Sequence, residues 1–413
     1  MIAAGGAPHR TLGSVHTPLP AATAPVVAGA GTSRVLWIDV AKGLSILLVV
    51  LHHAVVKNLG IDAPESLAGV VAGWGAVTSA LKPIRMPLFF VLSGFVASRA
   101  VHRPWAQVRR RALSPYYLYV VWLLLLGAVF SVERLLPMNR TQDLGELAQD
   151  LVWASTGVWF LYALAVYFVL AKLLAGLPAG WVLAGAAVLS ASSSAFGIEQ
   201  WNRFSVLFHF TYFALGALAP RLVRRLAERP AGPWGGVPAL TTAYVALTLL
   251  LWRLDLPTSA HLLVASVVGV PLGLRVAVLL ARSGPPARLL GWVGRRTLPI
   301  YVLHTVVLAS LLHLPPLLDL EQGSVVRGVL HPLVLSAVAV LVSLGAHWVL
   351  LRLGATWLFA LPGRPERPRR QAPRRSTEVR ASSSEGPYQV SSRPSTSSQG
   401  ERSASGPSAA VNS

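Results

Sequence analysis

Cysteine is absent from the sequence. No disulfide, thiolate metal site or cysteine-bound acyl intermediate can therefore form, and a covalent acyl group would need serine, histidine or a carboxylate. Acids are scarce as well: 16 Asp and Glu stand against 36 Lys and Arg, and charged residues make up only 13% of 413 positions. Residues 1–33 also lack a basic segment followed by an uninterrupted apolar core, which argues against a cleavable signal peptide. They read as a disordered cytoplasmic leader.

What is present is apolar. Hydrophobic residues account for 54% of the chain, and the mean hydropathy is +0.57. These values describe a protein whose main solvent is lipid. Runs long enough to cross a hydrocarbon core, about 20 residues, recur from Val35 to roughly Gly354. The expectation is an all-α polytopic bundle of about ten transmembrane helices occupying residues 34–358. The spans fall near 35–56, 86–101, 113–131, 152–175, 179–196, 203–220, 237–253, 261–281, 298–314 and 328–353. Residues 359–413 turn to Arg, Pro and Ser and form a disordered, basic and Ser-rich cytoplasmic tail, whose start suits anionic headgroups.

The formal charge of +20 would suggest nucleic acid in a soluble domain. Here much of it sits in short loops, where it is a topology signal, so no nucleic-acid partner is expected. With both termini cytoplasmic, the inward loops collect Arg99, Arg103, Arg109 to Arg111, Lys172, Arg221, Arg224, Arg225, Arg229, Arg275, Arg282, Arg288, Arg295 and Arg296, against one acid, Glu228. Asp62, Glu65, Glu133, Asp143, Glu146, Asp150, Glu199, Asp255, Asp319 and Glu321 fall on the other side. This is the positive-inside pattern of a multi-pass cytoplasmic (inner or plasma) membrane protein. The short, Gly-rich stretch Ser66–Leu81 reads as an interfacial or re-entrant helix, because an eleventh span would put Arg99 to Arg111 outside.

The first span, WIDVAKGLSILLVVLHH, carries Asp39, Lys42, His52 and His53. Each ionisable group at a span centre costs about 2.5–3.5 kcal/mol to insert, so such groups are functional candidates. Eleven residues at about 100° each bring His53 to within roughly 20° of the face of Lys42 and about 16 Å along the axis. His52 points about 80° away from that face. Asp39 can pair with Lys42 at i, i+3, and an imidazole with an ordinary pKa of about 6.5 suits proton transfer near neutral pH. The plainer reading makes Asp39 and Lys42 snorkelling anchors and the histidines a span end.

Other groups carry two readings each. Arg109, Arg110 and Arg111 satisfy a positive-inside loop, or they hold the phosphates of coenzyme A through bidentate pairs. Ser93-Gly94 in KPIRMPLFFVLSGF allows close helix packing, or exposes backbone to substrate. Trp159 in WFLYAL belongs to an interface belt, or walls a substrate site. His304 in GRRTLPIYVLH is a satisfied buried histidine, or a substrate-binding group. No metal site is read from the pattern.

D-x-x-K followed by a histidine eleven residues after the lysine, then MPLFFVLSGF, a basic RRR loop, WFLYAL and RRTLPIYVLH, resembles the membrane-bound acyltransferase family 3, which includes glycan O-acetylases. The resemblance covers about Arg34 to Leu353. Many relatives carry arginine where this chain has Lys42, and their paired arginine motif maps onto Arg109 to Arg111 without a clean register. The resemblance implies acyl-CoA, chiefly acetyl-CoA, as co-substrate with no bound cofactor, a carbohydrate or glycolipid acceptor, membrane lipid as surroundings and an envelope-biosynthesis protein as partner. It also implies catalysis by His53 with Lys42 and Asp39. Without it, a transporter or flippase, or a non-catalytic scaffold, would fit the same stripe.

Overall fold

The computed structural model describes residues 36–138, 140–141, 143–154, 156–196, 201–228, 236–314, 320 and 323–363. The leader, the tail from 364 onward, and Glu199, Arg229, Asp319 and Glu321 lie outside the described residues. Regular structure among the described residues is helical throughout. In chain order the longer helices are α1 (Leu36–Ala54), α2 (Ala68–Ala80), α3 (Lys82–Val101), α4 (Arg110–Val132), α5 (Leu144–Val152), α6 (Trp159–Leu173) and α7 (Ala179–Ser192). There follow α8 (Trp201–Leu218), α9 (Pro220–Glu228), α10 (Val237–Arg253), α11 (Thr258–Ala281), α12 (Gly284–Gly294), α13 (Thr297–Leu311) and α14 (Val325–Arg352).

Each of the ten expected spans falls on a helix, so the protein is a polytopic helical membrane bundle. Seven helical runs are long and apolar enough to cross a bilayer by length and composition, and an eighth arises if α8 and α9 count as one. Those two meet at 86°, where the proline at the head of α9 breaks the ladder. The helices α10 and α13 are apolar but shorter. Ser66–Leu81 is joined to α3 rather than standing apart: Glu65–Val101 is one helical run of 37 residues. At 1.5 Å per residue it is about 55 Å long and must tilt or overhang a core of about 30 Å.

Side-chain contacts hold several of the loop charges at either end of the bundle. On the face where α1 begins, Trp37 Nε1 donates to Glu228 (3.0 Å) and Lys172 donates to the Val101 carbonyl (3.3 Å). Arg110 there donates to the carbonyls of Leu361 (3.1 Å) and Pro362 (3.2 Å). On the opposite face, Glu133 meets Arg140 and His313, and Asp150 meets Arg203.

Glycines set the closest crossings. A Cβ on Gly94 would overlap the Phe213 carbonyl, and one on Gly216 would overlap that of Val91, so α3 and α8 pack backbone to backbone. Gly43 and Gly294 do the same for α1 and α12, against the carbonyls of Leu290 and Asp39. Around these crossings Phe90, Tyr167 and Phe213 fill the bundle centre.

Candidate active site

The site starts from a backbone preference of α13. His304, 1% exposed, turns its Nδ1 toward its own helix, 3.0 Å from the Ile300 carbonyl and 2.8 Å from that of Tyr301. A carbonyl can only accept, so Nδ1 carries the proton and the neutral ring keeps its lone pair on Nε2. That Nε2 lies 2.8 Å from Nδ1 of His53, which must therefore donate. The relay leaves the lone pair of His53 on Nε2, the form a general base needs.

His53 lines a cavity of about 120 Å³, with Ile46, Val49, Arg85, Phe89, Trp159 and Tyr301 among its walls. Tyr301 builds part of that wall: its hydroxyl donates to the Gly157 carbonyl (2.8 Å) and accepts from the Phe160 amide (3.2 Å). The start of α6, and with it Trp159, is thereby pinned beside the histidine pair. Immediately after His52 and His53 the helix loosens into a π-helical turn, Val55–Leu59, a device common at functional sites.

A second, larger cavity of about 620 Å³ opens nearer the start of α1, lined by Lys42, Ser93, Arg110, Arg111, Ser114 and Leu361 among others. Lys42 on its wall and Ile46 on the wall of the histidine cavity are four residues apart, about 6 Å along α1. Both belong to the stripe that helical phase marked out.

The candidates of the sequence are thus distributed over two cavities and two separate positions. His53 and Trp159 line one cavity, with His304 bonded to His53 behind it, and Lys42, Arg110 and Arg111 line the other. Arg109, the residue before α4, is exposed and lines neither. Asp39 is buried at 2% exposure, with its Oδ2 3.8 Å from Arg295 Nη1; the helix α12 that ends at Gly294 and delivers Arg295 lies where the apolar pattern predicts a loop. His304 touches His53 and does not itself line the cavity. His52, set aside by phase, also lines the histidine cavity, because that cavity spans more than 100° of the helix surface. Of the two readings of Ser93-Gly94, packing holds for Gly94, while Ser93 donates to the Phe89 carbonyl (2.8 Å) and lines the basic cavity.

Arg85 and Tyr301 went unnoticed in the sequence. Placing span two at 86–101 left Arg85 outside by one residue, although an arginine between Pro83 and Pro87 in an apolar run is itself a signal. Nothing local marks Tyr301, whose partners lie about 140 residues away in the chain.

Comparison with known proteins agrees with this architecture. The chain is 28% identical over 255 residues to the inner membrane protein YcfT of Escherichia coli (strain K12), a match covering 57% of this chain and 63% of that relative. No solved structure matches. The sequence model described as an acyltransferase domain matches residues 35–352, the whole helical bundle. With that span of agreement, the chain belongs to the membrane-bound acyltransferase family 3.

Proposed function

We propose that this protein moves an acyl group, acetyl above all, from acyl-CoA at the cytoplasmic face to a hydroxyl of a cell-envelope glycan or glycolipid. The observation that carries the reading is the His53–His304 relay at a cavity one helical turn from a basic cavity on the same stripe. Arg110, Arg111 and Lys42 receive the phosphates of the donor, both termini lie on that side, and the thioester arm follows α1 toward Ile46. The acceptor enters beside Trp159. His53 Nε2 takes the proton of its hydroxyl as the oxygen attacks the thioester carbonyl, and the resulting imidazolium returns the proton to the departing coenzyme A thiolate. Holding both substrates on one helix face supplies proximity. Asp39, paired to Arg295, holds the start of α1 against α12.

The test is transfer of labelled acetyl from acetyl-CoA to envelope glycolipid in proteoliposomes, beside movement of unmodified glycolipid across the bilayer. His53→Ala should insert normally and lose transfer. Transfer at the wild-type rate by this variant, or glycolipid movement without transfer by the wild type, would overturn the proposal.

A further inference from the structure

Acyl transfer as described leaves one buried cation without a task. Arg85, on α3, is 5% exposed. Its Nη1 donates to the Thr78 carbonyl (3.0 Å), and no carboxylate pairs with it among the described residues. A guanidinium offers five N–H donors and keeps its charge, and such a group within a membrane bundle is costly unless an acceptor reaches it. Arg85 lies where two cavities meet: the histidine cavity, and a smaller one of about 40 Å³ whose walls include Lys82, Trp159, Ser205 and His209.

Ser205 is a second, independent sign. It is 1% exposed, lines the smaller cavity, and its Oγ has no hydrogen-bond partner among the described residues. His209 does not use it, because the Nδ1 of that ring is 2.7 Å from the Ser205 carbonyl instead. The side chains of Arg85 and Ser205 therefore border one small space, with Lys82 beside them. By a measure in which one water needs about 10–15 Å³, the space takes a group of a few heavy atoms and no sugar ring. The bidentate fit of guanidinium to a planar or tetrahedral oxyanion names the group.

We propose that this cavity is an anion subsite, which seats a carboxylate or phosphate of the acceptor while a hydroxyl of the same molecule lies beside His53. Trp159 and Met86 line both cavities, so a group in the small one leaves the rest of its molecule in the large one. That the anion belongs to the acceptor rests on the acyl-transfer reading; that the subsite binds an anion does not. The oxyanion is carried by an acidic sugar, a sugar phosphate or the phosphate of a lipid anchor.

Binding to the full chain in nanodiscs, followed by tryptophan fluorescence, tests this. The probes are methyl glucuronide, glucose 1-phosphate, short-chain phosphatidylglycerol and, as the neutral control, methyl glucoside. At least one anionic probe should bind the wild type more tightly than methyl glucoside, and the one that does names the carrier. Arg85→Gln should weaken it by about tenfold or more, the scale of a charge-assisted bond. Arg85→Lys, which keeps charge without the fork, should fall between, and Ser205→Ala should weaken it several-fold. Anion binding by a wild-type protein that transfers no acetyl removes the acyl-transfer reading and keeps the subsite. Equal affinity for charged and neutral sugars, or undiminished anion affinity in Arg85→Gln, overturns the subsite. Should Arg85→Gln fail to fold, the wild-type comparison and Ser205→Ala decide.

Discussion

Nδ1 of His53 lies 2.8 Å from Nε2 of His304, and the two rings meet edge to edge, with centroids 5.0 Å apart and planes only 20° from parallel. The residue that orients the base is thus itself an imidazole, whose tautomer is set by backbone carbonyls rather than by a carboxylate. A neutral orienter selects the tautomer of His53 and its ring position. It offers less to the imidazolium that forms during transfer than a carboxylate would.

His304→Ala should lower kcat for acyl transfer by about 10²–10⁴, the range of a misoriented general base, and leave the KM for acyl-CoA unchanged. His304→Gln, whose amide oxygen can accept from His53 Nδ1, should retain more activity than alanine. A kcat equal to the wild type in His304→Ala would remove His304 from the relay.

Arg110 and Arg111 line the large basic cavity and Arg109 does not. Replacing Arg110 and Arg111 together with glutamine should raise the KM for acyl-CoA by about tenfold or more, given roughly 1.5–3 kcal/mol per hydrogen bond to a charged group. Arg109→Gln should leave it within about twofold. Steady-state kinetics with purified protein separates the two; a larger effect from Arg109 would place the donor elsewhere.

Gly94 has no room for a methyl group against the Phe213 carbonyl, whereas Gly127 on α4 faces open space. Gly94→Ala should cost about 1–3 kcal/mol through overpacking, and Gly127→Ala should be neutral or stabilising by up to about 1 kcal/mol through helix propensity. Thermal unfolding in detergent reads both. Equal midpoints would mean that α3 and α8 do not cross as tightly as described.

Glu133 lies past the end of α4. Burial alone would raise its pKa, but the amides of Leu136 and Leu135, with His313 and Arg140, hold it below the usual carboxylate range. A depressed folded pKa contributes stability above the unfolded value, near 4.3, and loses it as pH falls through the folded value. The stability gap between wild type and Glu133→Gln should therefore be full at pH 6 and shrink as the medium is acidified below about pH 4. Unfolding midpoints across that range check it; a gap that widens toward acid would reverse the sign.

The apolar periodicity of the chain was enough to place the helices that form the spans, because a lipid solvent demands long apolar runs with satisfied backbones. The stripe from Lys42 to His53 was legible for a related reason: eleven residues are close to three turns of one unbroken helix. Phase alone misjudged His52, since a cavity has width and a helical wheel has none. The helix α12 was missed because Gly284-Pro285-Pro286 looks like a loop, yet Pro at a first turn starts a helix as readily as it ends one.

Composition and periodicity by themselves determined the class of protein, the two-faced charge pattern and the candidate stripe, all of which depend on neighbours within a few turns of one helix. The tertiary structure decided the chemistry. His304 reaches His53 across 251 residues of chain, Arg295 reaches Asp39 from a helix not foreseen, and Arg85 meets Ser205 at a cavity no single helix contains. Such pairs are set by which helix backbones approach closely enough to touch, as at Gly43–Leu290 and Gly94–Phe213, and packing of that kind leaves little trace in the local order of residues.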